Sequence, residues 1–174
     1  MPYLKSIIVQ SSSLDRAVSV GVHDSNIPES GNLSELSLHY IDEAISELNF
    51  ILGRPTGTVR WGVEQFSVES DSSISGCEDF DGNEIAEVST VSLKNLMLEV
   101  KSFKEYCHQA DNYKTIIAQA FSAIKINPSQ YKRWPESDVD FGITINNVFV
   151  GLVLESSDFT LTEATFINEL NINF

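Results

Sequence analysis

The sequence predicts an α+β fold: a single globular domain over residues 1–174, with a largely antiparallel sheet and helices packed against it. Three observations carry this. Apolar residues alternate with period two in several short segments. Others recur at helical spacing in three longer ones, and an Asn-Asn pair joins two of the alternating segments. At 174 residues the chain is long enough to bury an ordinary core.

The opening "MPYLKSIIVQSSS" reads as a first strand, because its apolar patch is too short for a secretory signal. That reading places the chain in the cytoplasm. Val18, Val20 and Val22 alternate with small residues, the mark of a strand with one buried face. Pro28 and Gly31 then break the chain. Leu38, Ile41, Ala44, Ile45, Leu48, Ile51 and Leu52 follow helical spacing, and Gly53 with Pro55 ends that helix. Val59, Trp61 and Val63 alternate again, whereas Phe66 and Val68 fall on the opposite parity. Read as one strand, that phase change predicts a bulge near Glu64–Gln65.

Leu93, Leu96, Met97, Val100, Phe103, Cys107 and Ala110 form a second helical stripe, with Ser89, Thr90 or Ser92 as its cap. Asp111 or Asn112 punctuates, and a third stripe runs from Tyr113 through Ile116, Ile117, Ala120 and Phe121 to Ile124. "NPSQYKRWPES" is a loop by its two prolines. Val139, Phe141, Ile143 and Ile145 then alternate. Asn146-Asn147 supplies a two-residue turn, since Asn tolerates positive φ. "VFVGLVL" returns as a strand apolar on both faces, hence central. Thr162 opens a short last helix.

The formal net charge is −14, from 25 acidic and 11 basic residues. Such a charge repels nucleic acid and anionic membrane and favours cationic partners. Direct nucleic-acid binding, which needs Lys and Arg to neutralise phosphates, is therefore not expected. No apolar run is long enough to span a bilayer. Cys77 and Cys107 suit reduced thiols of a cytosolic protein better than a disulfide, although one bridge is conceivable.

Known catalytic patterns are missing from the sequence. There is no Gly-x-Ser-x-Gly elbow and no phosphate-cradling glycine pattern. Cys107 and His108 are adjacent on a helix, so their side chains diverge by about 100° and cannot act as nucleophile and base. His23, His39 and His108 show no zinc spacing with the cysteines, and His39 with Glu43 makes only two ligands. Calcium is suggested by "EDFDGNEI". With Gly82 at the sixth position of an EF-hand loop, Asp81 and Asp79 fall on ligand positions, but Cys77 and Val88 occupy the first and last. An Asp81-Gly82 turn explains the same residues without metal. The chain is accordingly read as a non-enzyme without cofactor or metal.

What stands out is the stretch from Glu64 to Glu87, which holds eight carboxylates and no Lys or Arg. Glu69, Asp71, Glu78, Asp79, Asp81, Glu84 and Glu87, with Phe80 as an apolar anchor, are the candidate partner-binding residues. A run of carboxylates can be no more than a solvated face. Here the missing basic residues, the nearby Trp61 and Phe66, and the global acidic excess favour a surface for a basic partner.

These acids, with Asp42, Glu43 and Glu47 on the first long helix, give a profile that resembles the immunity proteins of bacterial contact-dependent growth inhibition and related polymorphic toxin systems. The resemblance covers the whole chain in size, charge and absent chemistry, and no family residue is carried over from it. It implies one-to-one binding to a cognate basic toxin domain, often a nuclease, whose active site is covered in the cytosol of the producing cell. The rival readings are a phage- or plasmid-encoded nucleic-acid mimic and a small enzyme or ligand-binding domain. "YKRWPE" at 131–136 is the one clustered basic and aromatic patch, suited to an internal ion pair or a partner contact.

Overall fold

The computed structural model describes residues 3–12, 16–27, 30–63, 66–79, 81–126, 141–154, 158 and 161–172. In chain order the elements are β1 (Leu4–Ser11), β2 (Arg16–His23), α1 (Ser30–Ser34), α2 (Leu38–Leu52), β3 (Val59–Val63), β4 (Phe66–Ser70), β5 (Ile74–Asp79), β6 (Glu84–Ser89), α3 (Thr90–His108), α4 (Asn112–Ile126), β7 (Phe141–Ile145), β8 (Val148–Val153), α5 (Glu163–Asn168) and β9 (Asn171–Ile172). The fold is α+β, with strands in two sheets of order β7-β8-β1-β2-β9 and β3-β4-β5-β6. Two compact units divide the chain: Met1–Tyr3 with Val22–Lys104, and Leu4–Gly21 with Glu105–Phe174.

In the second of these units β8 is central, as its two-sided apolar sequence requires. It pairs antiparallel with β7 and parallel with β1, aligning Ile7 with Val150 and Val9 with Leu152. All four of those side chains are fully buried. The β7–β8 hairpin turns through Asn146 and Asn147, at φ 49° and 65°. Positive φ at both central residues matches the twist of the flanking strands, and Asn accepts it more readily than most residues.

At the end of α3 the chain breaks in a 3₁₀ turn, Gln109–Asp111, with Ala110 at φ 50° and Asp111 at φ 52°. Asn112 Nδ2 donates to the Tyr106 carbonyl at 2.9 Å, satisfying one of the acceptors a helix C-terminus leaves open. Thr162 caps α5 by accepting the Thr165 N–H. Phe166 of α5 stacks on Phe121 of α4 with centroids 4.7 Å apart and planes 12° from parallel. Over Phe166 sits the Arg16 guanidinium, 5.2 Å from the ring centroid. Arg16 also pairs with Asp158 at 2.9 Å and with Glu169, and the Asp158 side chain is fully buried. A buried carboxylate persists only when a cation and hydrogen bonds compensate it.

The first unit contains the antiparallel four-stranded sheet and α2. Ile41, Ala44, Leu48 and Ile51 are the buried stripe of α2. Burial of a side chain the size of Leu48 stabilises by ~1.5–3 kcal/mol. One sequence expectation is corrected here. Val63 pairs with Phe66 and Val59 with Ser70, so β3 and β4 are two antiparallel strands rather than one bulged strand. A two-residue connection pairs odd positions with even ones, so it shifts the apolar parity just as a bulge would. A bulge does occur elsewhere, where the β5–β6 register shifts between Cys77 and Glu78.

Between β3 and β4, Gly62 faces Ser67. A Cβ on Gly62 would lie 2.4 Å from the Phe66 carbonyl oxygen and 2.7 Å from Ser67 Cα, so any side chain there must displace β4. One sheet face buries Val59, Phe66, Val68, Cys77 and Ala86. Ser70, Ser75 and Thr90 are buried too, and they form a hydroxyl ladder. Ser70 Oγ lies 2.7 Å from Ser75 Oγ, Ser75 Oγ lies 3.0 Å from Thr90 Oγ1, and Thr90 Oγ1 donates to the Asp71 carbonyl at 2.8 Å. Cys77 and Cys107 are both buried.

Candidate partner-binding face

The acidic stretch is a β-meander. Strand alternation turns Val68, Cys77 and Ala86 inward, which leaves the opposite face to Glu69 on β4, Glu78 on β5 and Glu87 on β6, and the register shift after Cys77 brings Glu84 opposite Glu78 on that same face. Glu69 and Glu87 are both partners of Gly76. They therefore sit two strands apart, about 10 Å. Glu78 is directly opposite Glu84. Like charges in that position are mutually destabilising, so this face retains an unfavourable pair. Arg60 on β3 is its counter-ion, with Nη2 2.9 Å from Glu78 Oε2 and 2.9 Å from Ser67 Oγ. Both partners are well exposed, so the pair contributes little to stability. Arg60 lies just outside the stretch without basic residues, and only the β3–β4 register brings it beside the acids.

The remaining acids do different work. Asp71 Oδ1 accepts the Ser73 and Ile74 N–H groups at 2.6 and 2.7 Å, closing the β4–β5 turn. Asp79 closes the β5–β6 turn. Its Oδ1 accepts the Asp81 and Asn83 N–H groups at 2.9 Å, and its Oδ2 accepts Asn83 Nδ2 at 3.1 Å. Gly82 provides the positive φ, 80°, that this turn requires. These bonds hold both carboxyls below the usual aspartate range: the Ile74 and Ser73 N–H groups at Asp71, and chiefly the Asn83 side chain and N–H at Asp79. Asp81 is exposed at the turn tip. Phe80 and the basic patch at 131–136 lie outside the described residues. Among the described residues no group of three or more His, Cys, Asp or Glu is placed to hold a metal ion.

A depressed carboxyl pKa stabilises the folded state above the unfolded value, about 3.9 for aspartate, and that contribution is lost as pH falls through the folded value. Both turns should therefore remain closed at pH 4. In an NMR titration the Ser73 and Asn83 amide resonances should move with midpoints below ~3.9. Midpoints at or above that value would show the two carboxylates free of their turns.

Beside the sheet, a groove of about 520 Å³ is lined by His39, Asp42, Glu43, Ser46 and Glu47 of α2 and by Arg60, Trp61 and Gly62 of β3. The α2 residues recur three and four apart, which places them on one helix face. Asp42 pairs with Lys101 at 2.7 Å, and Glu43 with His39 at 3.2 Å. Asp42, Glu43 and Glu47 thus line a wall facing the edge of the sheet that carries the other acids.

One serine–histidine contact bears on the enzyme reading. Ser30 Oγ lies 3.0 Å from His23 Nδ1. Ser30 is fully buried, and its Oγ also accepts the Asp24 N–H at 3.1 Å, so it fastens the turn after β2. Among the described residues no helix is long and apolar enough to cross a membrane. No protein-family model, curated protein or solved structure matches this chain.

Proposed function

We propose that the chain is an immunity protein that binds a cognate basic toxin domain, in the first instance a nuclease, and covers its active site in the cytoplasm. The observation that carries this reading is the gathering of Glu69, Glu78, Glu84 and Glu87 on one exposed face of adjacent strands, with like charges opposed at Glu78 and Glu84. A face that keeps such a repulsion gains most from a cationic surface laid on it. The net charge of −14 adds long-range attraction of the same sign. Compactness favours a docking patch over a nucleic-acid mimic, which would space its carboxylates along an extended line of phosphates.

The test is genetic and biochemical. Expressed with the toxin domain encoded beside it, the chain should restore growth and co-purify with that domain in a one-to-one complex. By itself it should turn over no generic hydrolase substrate. Growth arrest in the presence of the chain, or a turnover abolished by a single carboxylate-to-amide change, would overturn the reading.

A further inference from the structure

Among the described residues the four-stranded sheet ends at β3. Val63 pairs with Phe66 across only two intervening residues, and so close a pair forms by exchanging its own main-chain hydrogen bonds. Bonded and non-bonded pairs alternate along an antiparallel ladder. Val59, Trp61 and Val63 therefore bond to β4, while the N–H and C=O groups of Arg60 and Gly62 point away from β4, where no strand among the described residues pairs with them. These two residues line the groove against α2. The Arg60 guanidinium is held on the sheet face by Glu78 and Ser67, which leaves its main chain as its contribution to the edge.

An open strand edge is a template for another strand, and recognition by strand addition takes affinity from the main chain and selectivity from alternate side chains. We infer that the β3 edge and the α2 wall form a strand-addition site for an extended segment of a protein partner with Lys or Arg at every second position. The inference deepens the immunity reading and rests on it for the cationic nature of the partner.

The dimensions agree. Same-side residues of an extended chain repeat every ~6.7 Å, and Glu43 and Glu47, one helical turn apart, are separated by ~6 Å along the axis. The five residues of β3 extend ~17 Å, and α2 from His39 to Glu47 rises ~12 Å, so four or five residues of a partner are accommodated. Trp61 lines the same groove, and its Nε1 is shielded from solvent with no acceptor among the described residues.

The probe is a blocked five-residue peptide alternating lysine and threonine, titrated into ¹⁵N-labelled protein at low salt. Saturable shifts should centre on the Arg60 and Gly62 amides, and hydrogen exchange at both should slow. Methylating the peptide nitrogens that face β3 should weaken binding roughly tenfold. Arg60→Pro, tolerated on an edge strand, should do the same, while Arg60→Ala, which keeps the N–H and removes a cation from the groove, should bind the peptide more tightly than the native chain. Equal binding of the methylated and parent peptides, with shifts on Glu69, Glu78 and Glu87 instead, would overturn strand addition and leave cationic docking in place. An alternating glutamate–threonine peptide binding as tightly would overturn the charge recognition. Failure of every cationic peptide to bind would overturn the site as a whole.

Discussion

Replacing Arg16 with methionine should lower the unfolding free energy by about 3–5 kcal/mol, because the fully buried Asp158 carboxylate then loses its cation. The Arg16 side chain is only 14% exposed, so solvent screens this pair weakly. The substitution also removes the cation over Phe166 and the partner of Glu169, which loosens the packing of α5 on α4. Urea denaturation followed by circular dichroism measures the loss directly. The double variant Arg16→Met with Asp158→Leu should recover much of it, since a buried ion pair is often replaceable by apolar residues of similar volume. A loss below about 1 kcal/mol in the single variant, the range of exposed pairs, would show that Asp158 is compensated from elsewhere.

Reversing the sheet-face acids has the largest expected effect on partner binding. With Glu69, Glu78, Glu84 and Glu87 all changed to lysine, association with the cognate toxin should slow by ~10–10³-fold, and its salt dependence should weaken. The fold should survive. Like charges still face one another at positions 78 and 84, as before, and the exposed Arg60–Glu78 pair contributes little. Surface plasmon resonance across a salt series reads both rates, and circular dichroism checks the fold. Unchanged association kinetics would remove the sheet face from the docking surface and leave the α2 groove as the site of contact.

Much of the fold is written locally. The alternation at Val18–Val22, the helical stripes of α2, α3 and α4, the Asn146–Asn147 turn and the Thr162 cap are decided by neighbouring residues, so short windows reveal them. The phase change after Val63 is different, because a bulge and a two-residue hairpin shift parity alike. Only the pairing of Val63 with Phe66 separates them. The parallel pairing of β1 with β8 and the Arg16–Asp158 pair join distant parts of the chain, and no local pattern encodes them. β9 is two residues long, too short to show a period.

The candidate site was half legible. Composition identified the acids, but the stretch looks like a loop because serines occupy inward positions where a strand normally shows apolar residues. Ser70 and Ser75 are buried there and satisfied by one another and by Thr90. With those positions disguised, the division of the acids into a sheet face (Glu69, Glu78, Glu84, Glu87) and turn closures (Asp71, Asp79) stays hidden until the register is known.

The same hydroxyl ladder has a fixed polarity. A hydroxyl has one proton to give, and Thr90 gives its own to the Asp71 carbonyl. Thr90 must therefore accept from Ser75, and Ser75, its proton committed, must accept from Ser70. The three groups form a one-way relay from β4 through β5 to the first residue of α3, each bond polarising the next. Its members are unequal in consequence. Loss of the Ser70 hydroxyl removes only the head of the relay, while loss of the Ser75 hydroxyl strands a donor on one side and an acceptor on the other. The start of α3 is thus tied to the β4–β5 hairpin by the direction in which protons are shared.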